Sequence, residues 1–94
     1  MMTLDSRYTI PSTVLLQSVD DEVLLFNSAN GLFFTLNEMG AVFWQSMSES
    51  NTLQDIFNSI AQEYEVEADL LAQDIITFSQ TLAEQGLLNF ETQD

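Results

Sequence analysis

The sequence predicts an α+β fold in which a three-stranded antiparallel sheet is followed by three helices. Two observations predict it: β-prone runs joined by tight turns fill the first part of the chain, and apolar residues at helical spacing fill the rest. The 94 residues are 46% hydrophobic and include one proline, a composition that supports a compact core and argues against disorder. We expect one domain over residues 1–94, with its core at about residues 14–88.

Three short segments make up the predicted sheet. They are residues 13–19 (TVLLQSV), residues 23–27 (VLLFN) and Leu32–Leu36 (LFFTL). The acidic turn DDE separates the first two, and SANG, with the Asn-Gly pair typical of hairpins, separates the last two. Strands joined by such short connections form an antiparallel meander.

The first two helices carry recognisable start signals. Asn37 ends the third strand and can cap a helix, because its side-chain oxygen can accept a free N–H of the first turn. Thr52, with Asp55 three residues later, resembles a capping box for a second helix over residues 53–64. The apolar positions at helical spacing are Met39, Val42, Phe43 and Met47 in the first helix, with Trp44 beside them, and Leu53, Ile56, Phe57, Ile60, Ala61 and Tyr64 in the second.

The third helix is predicted over residues 68–85, with Gly86 as its stop and Leu87-Leu88 folding back on the core. Its apolar arc is wider than one packing contact requires. The main stripe contains Leu71, Ile75, Phe78 and Leu82, and a shoulder of mostly small residues contains Ala68, Ala72, Ile76, Ser79 and Ala83.

Two interpretations of this shoulder remain open. A second helix or the sheet packs against it, or it forms a shallow trough beside the edge strand Leu32–Leu36. The last strand of a meander has unpaired N–H and C=O groups on one side, and this strand has no lysine or proline to block pairing. An edge strand and a helix that frame a groove would bind an extended peptide by strand addition.

The charge of the chain excludes several classes of partner. Fifteen acidic residues face one basic residue, Arg7, for a formal net charge of −14. Nucleic acids and anionic membranes are bound through lysine and arginine, so neither is an expected partner. The acidity either attracts a basic peptide or protein at long range or only keeps the chain soluble.

The residue inventory argues against catalysis. The chain has no cysteine and no histidine, which removes thiolate metal sites, disulfides and most general bases that work near neutral pH. Carboxylate pairs such as Glu65 with Glu67 and Asp69 with Asp74 are typical of solvated helix faces. We therefore predict no enzyme activity, no cofactor and no metal.

The N-terminus has no signal-peptide pattern, and the chain is expected in the cytoplasm.

The order of several motifs resembles that of the PqqD-like family, also called RiPP recognition elements. The matching segments are GLFFTLNEMG at residues 31–40 with VFW at 42–44, TLQDI at 52–56, DIITF at 74–78 and GLL at 86–88. The similarity extends over about residues 14–88. Glu67 departs from the family pattern, in which many members have Asp at this point, often followed by Pro.

The resemblance implies a winged helix-turn-helix-like fold and a non-catalytic role. Family members bind the leader of a ribosomally made precursor peptide, which adds as a strand to the third strand, so that a separate leader peptidase or modifying enzyme can act. By position, the leader-binding residues would be Leu32, Phe33, Phe34 and Thr35 on the strand, and Asp69, Ala72, Gln73, Ile76 and Gln80 on the third helix.

Several alternatives stay open at this point. The aromatic pair before Leu-Asn is similar to the free-standing lasso-peptide branch, and the family also includes accessory proteins of coenzyme PQQ biosynthesis. A winged-helix transcription regulator is an alternative hypothesis, although residues 52–64 and 68–85 contain no basic side chain with which to bind DNA. A homodimer through the exposed strand edge is also compatible with the sequence.

Overall fold

The computed structural model describes residues 3–91 of the chain. The strands β2, β3 and β4 form an antiparallel sheet in that order, and the helices α1, α2 and α3 follow it. The predicted α+β architecture is therefore confirmed. In chain order the elements are β1 (Tyr8–Thr9), β2 (Val14–Val19), β3 (Glu22–Asn27), β4 (Leu32–Leu36), α1 (Glu38–Ser48), α2 (Leu53–Glu63), α3 (Ala68–Glu84) and β5 (Asn89–Phe90).

A second, two-stranded sheet was not predicted from the sequence. In it, β1 pairs with β5, with Tyr8 opposite Phe90 and Thr9 opposite Asn89. Tyr8 is 4% exposed, so the buried core includes a residue before the range 14–88. The pairing brings the two ends of the described chain together, and strands of two residues are too short to produce a periodic pattern.

The core lies between the inner face of the β2–β3–β4 sheet and the three helices. Leu25 of the central strand β3 is completely buried, and it lies in one cross-strand row with Leu16 of β2 and Phe34 of β4. The remaining apolar residues with 2% exposure or less come from the helices and the segment after α3: Met47, Leu53, Ile56, Ile60, Ile75, Leu82, Leu87 and Leu88.

The predicted starts of α1 and α2 are confirmed by hydrogen bonds, and α2 and α3 each end one residue before the predicted end. The N–H of Gly40 donates to the Asn37 side chain at 2.7 Å, and the N–H of Asp55 donates to the Thr52 hydroxyl at 3.2 Å. Gly86 has a φ of +75°, a conformation that glycine adopts without strain, and it follows the end of α3. Its carbonyl accepts a hydrogen bond of 3.1 Å from the buried Asn27 side chain, which ties β3 to the end of α3.

Tyr8 connects the small sheet to the end of α1. Its hydroxyl donates a hydrogen bond of 2.8 Å to the carbonyl oxygen of Met47. Burial, with a smaller contribution from the negative charge of Asp55, raises the pKa of the Tyr8 hydroxyl well above that of an exposed tyrosine. The proton is therefore held much more firmly in the folded chain than in the unfolded one.

This difference predicts an alkaline loss of stability. Above about pH 10, the pKa of an unfolded tyrosine, the unfolded chain loses a proton that the folded chain keeps. The free energy of unfolding should then fall with rising pH by up to about 1.4 kcal/mol per pH unit, and Tyr8→Phe should remove most of that slope. Urea unfolding between about pH 9 and about pH 11 tests this, with Tyr64→Phe as the exposed control. Equal slopes in wild type and Tyr8→Phe would contradict it.

Candidate functional site

The β2–β3–β4 sheet has two open edges. Within residues 3–91, β2 and β4 each pair with β3 alone, so the outward side of each has no strand partner. Such an edge offers backbone N–H and C=O groups to a further strand. The predicted edge strand Leu32–Leu36 is therefore present, and β2 provides a second open edge to which a peptide strand could add.

Of the two edge strands, only β4 borders a cavity lined by residues of α1 and α3. The cavity has a volume of about 550 Å³ and lies between β4 and α3, with the start of α1 at its base. Phe34, Thr35 and Leu36 contribute its strand side. A peptide paired with β4 would therefore place side chains in this cavity, whereas a peptide paired with β2 would not.

The base of the cavity is apolar and closely packed. The rings of Phe43 and Phe78 meet edge to face, with centroids 5.5 Å apart and planes at 65°. A Cβ atom at Gly40 would make an ordinary contact of 3.4 Å with the Phe78 ring and a tight one of 3.1 Å with the Asn37 side-chain oxygen that caps α1. Met39, which the sequence placed on the core side of α1, is 39% exposed and lines the cavity.

The α3 wall of the cavity is a mixed apolar and polar face. Leu70, Asp74, Thr77 and Thr81 line it together with Phe78, and their spacing of three and four residues places them on one side of the helix. Leu70 is 55% exposed despite its apolar side chain. Asp74 is the one ionisable residue among those that line the cavity within residues 3–91.

The predicted strand residues divide between two faces of the sheet. Leu32 and Phe34 belong to the inner face and Phe33 and Thr35 to the outer face, and of the four only Phe34 and Thr35 line the cavity. Phe33 projects from the opposite face of the sheet and is 63% exposed, and Leu32 at the start of the strand is 54% exposed. The aromatic pair Phe33-Phe34 therefore contributes one ring to each face of the sheet, because neighbouring side chains of a strand point in opposite directions.

The predicted helix residues lie away from the cavity, on the other flank of α3 or on its exposed face. The five positions Asp69, Ala72, Gln73, Ile76 and Gln80 do not line the cavity. At about 100° per residue, the buried stripe of Leu71, Ile75 and Leu82 runs between two flanks. Ala72 and Ile76 lie on the flank away from β4, and Asp69, Gln73 and Gln80 lie on the exposed face opposite the stripe. Ile76 packs against the core.

The small and apolar residues of the shoulder, Ala72 and Ile76 among them, suggested a trough on that flank, whereas the set of five positions came from the family resemblance. The flank that lines the cavity is more polar. The sequence feature that could have indicated it is one apolar residue, Leu70, which the structure leaves exposed in the cavity wall. Only the placement of β4, α1 and α3 around the cavity distinguishes the two flanks.

Neither a cluster of metal-ligating side chains nor a membrane-spanning helix is found in residues 3–91. In this range, no three Asp or Glu side chains are grouped so that they could hold a metal ion. None of the described helices combines the length and apolar composition needed to cross a membrane.

The fold and the site define a class of protein: an α+β domain with an open edge strand beside an apolar groove formed with its last helix. The chain belongs to the PqqD family, because residues 22–88 match the family model described as coenzyme PQQ synthesis protein D. The resemblance drawn from its motifs is therefore confirmed.

Two solved structures are similar to this chain over most of its length. The first, TbiB1 in complex with the TbiA(beta) leader peptide, has a TM-score of 0.78 and 29% identity, and the match covers 92% of this chain and 99% of that one. The second, lasso peptide synthetase B1 complexed with the leader peptide, has a TM-score of 0.75 and 22% identity, with 87% and 96% covered. At that identity the second shows the fold alone. None of the curated proteins compared matches the chain.

Proposed function

We propose that this chain is a non-catalytic adaptor that binds the leader of a ribosomally made precursor peptide and presents it to a separate leader peptidase or modifying enzyme. The observation that carries the proposal is the unpaired edge of β4 beside the cavity. The similarity to TbiB1, which is in complex with the TbiA(beta) leader peptide, supports it. The aromatic pair Phe33-Phe34 before Leu-Asn favours a lasso-peptide precursor, and the family description keeps a coenzyme PQQ pathway as the alternative. We place the adaptor in the cytoplasm, where such precursors are made.

In this mechanism the leader extends the sheet as a fourth strand next to β4. Alternate side chains of the leader then point into the cavity, and the others point to the opposite face of the sheet. Each backbone hydrogen bond contributes about 0.5–1.5 kcal/mol net, and each apolar side chain buried in the cavity about 1.5–3 kcal/mol. After the cost of association, micromolar to nanomolar affinity is expected.

The cavity also defines the chemistry of the leader. Its base of Met39, Phe43 and Phe78 suits large apolar side chains at alternate positions. Asp74 on the α3 wall suits a lysine or arginine close to them. The net charge of −14 would speed the approach of a basic leader, most strongly at low ionic strength.

Calorimetric titration with a synthetic leader tests the proposal. Candidate leaders are taken from short peptides found among the neighbouring genes, and a scrambled peptide of the same composition is the control. We expect micromolar or tighter binding of the leader, no measurable binding of the scrambled peptide, and an affinity that falls as salt is added. Equal binding of the two peptides, or no binding of either, would contradict the proposed function.

A further inference from the structure

The outer face of the β2–β3–β4 sheet, which faces away from the helices, carries an exposed apolar row. Leu15, Phe26 and Phe33 lie opposite one another on the three strands, and opposed residues of antiparallel strands share a face. The rings of Phe26 and Phe33 are in contact, with centroids 4.8 Å apart. Leu15 is 48% exposed and Phe33 is 63% exposed, so no other element of residues 3–91 covers the row.

The neighbouring rows show where this apolar surface ends. Leu24 is half-buried and lies beside the apolar row, between Gln17 and Thr35. The next row contains Glu22, opposite Val19 and adjacent to the acidic turn. One end of the face is therefore apolar and aromatic, and the other end is negatively charged. Exposed apolar surface with a polar rim is typical of a protein interaction site.

We propose that the outer face, defined by Leu15, Leu24, Phe26 and Phe33, is the docking surface for the enzyme that acts on the bound precursor peptide. The inference rests on the proposed function, and it assigns a second surface distinct from the cavity. The partner would present an apolar patch flanked by lysine or arginine residues, which meet Glu22 and the turn residues Asp20 and Asp21.

The charge of the chain argues for such a partner over a second copy. Each copy carries a net charge of −14 and a single basic residue, Arg7, which cannot neutralise the acidic rim of another copy. Association of two copies through this face would bring like charges together, which costs free energy. A basic-rimmed enzyme surface instead gains from the same charges.

The docking surface and the peptide site are compatible with simultaneous occupancy. A leader added to β4 fills the free edge and the cavity, which is lined by Phe34 and Leu36 on the inner side of the sheet. Leader side chains that point to the outer face would lie beside Phe33, whereas Leu15 on β2 is two strands away from β4, about 10 Å at the usual strand spacing, and stays open. The adaptor can therefore hold the leader and contact the enzyme at once.

Two neighbouring leucines provide a matched test of the docking surface. Leu15 and Leu16 are 48% and 51% exposed and lie next to each other on β2, yet they project from opposite faces of the sheet. The variants Leu15→Glu and Leu16→Glu therefore add the same charge at the same place in the chain, and only the first changes the outer face. Neither residue lines the cavity.

The measurement uses the precursor peptide whose leader binds this chain, with the purified leader peptidase or modifying enzyme that acts on that precursor. The reaction rate is recorded against adaptor concentration, and leader affinity is measured separately by calorimetry. We expect Leu15→Glu to raise the half-saturating adaptor concentration at least about tenfold, roughly the loss of one apolar contact. Leu16→Glu should leave it unchanged, and both variants should bind the leader as wild type does.

A second pair of changes tests the charge of the partner. Asp20→Asn with Asp21→Asn neutralises the turn, and asparagine tolerates the φ of +56° found at Asp20. We expect this variant to need more adaptor for half-saturation and to show a weaker dependence on salt.

The outcomes separate the two proposals. An unchanged half-saturating concentration for Leu15→Glu would overturn the docking surface while leaving leader binding intact. A wild-type dimer in sedimentation analysis that Leu15→Glu dissociates would also overturn it, in favour of a second copy. Failure of the wild-type adaptor to bind the leader at all would instead overturn the proposed function on which the docking surface rests.

Discussion

Replacing Leu70 with aspartate is expected to weaken leader binding about 100-fold without unfolding the chain. Leu70 lines the cavity and is 55% exposed in the free protein, so a leader that covers it would bury an apolar side chain. That burial contributes about 1.5–3 kcal/mol, and a carboxylate in its place must be desolvated. About 1.4 kcal/mol corresponds to a factor of ten in affinity.

The folded state should tolerate this change. Leu70 lies in the first turn of α3, where a negative charge interacts favourably with the helix dipole. Circular dichroism and urea unfolding should therefore match those of the wild type, so that a loss of binding reports on the cavity alone.

Gln73→Asp is the matched control for this experiment. Gln73 is one of the helix positions that the resemblance implied; it is exposed on α3 one turn later, opposite the buried stripe, and does not line the cavity. We expect it to bind the leader within about twofold of wild type. If Gln73→Asp abolished binding and Leu70→Asp did not, the leader would contact a different face of α3, and the assignment of the cavity would be wrong.

Leu25→Ala is expected to remove about 3 kcal/mol of stability. Leu25 is completely buried on the central strand, between the sheet and the helices, and truncating a buried leucine costs about 2–5 kcal/mol. A chain of this length is stabilised by roughly 5–14 kcal/mol in total. Because β4 and α3 lie in different layers, the packing around Leu25 also helps to hold the two walls of the cavity in place.

Urea unfolding measures this loss, with Leu16→Ala as control. Leu16 lies in the same cross-strand row but is 51% exposed, so its truncation should cost less than about 0.5 kcal/mol. Leader at 100 times its dissociation constant should restore about 2.7 kcal/mol to Leu25→Ala by binding only the folded state. Equal losses in the two variants would show that the inner face of the sheet is not the core contact described above.

The parts of the fold predicted from the sequence are those set by local signals. The Asn-Gly turn, the caps at Asn37 and Thr52 and the stop at Gly86 each act through hydrogen bonds or dihedral angles within a few residues. The open edge of β4 follows from the strand order of a meander. The pairing of β1 with β5 was missed, because it joins residues far apart in the chain through segments of two residues.

The helix side of the candidate site could not be predicted for a different physical reason. A helix with a central buried stripe has two flanks, and periodicity identifies the stripe but not which flank faces an open strand edge. The choice depends on the side of α3 on which β4 lies, which is a property of the tertiary packing. The sequence therefore led to Ala72 and Ile76, whereas Leu70 and Asp74 line the cavity.

Amide hydrogen exchange with and without bound leader tests the central claim most directly. If the leader pairs with β4, the outward-facing amides of Leu32–Leu36 should exchange much more slowly in the complex, while those on the open side of Val14–Val19 should keep their rates. Tight binding that leaves β4 unprotected, or that slows exchange in β2 instead, would contradict the account.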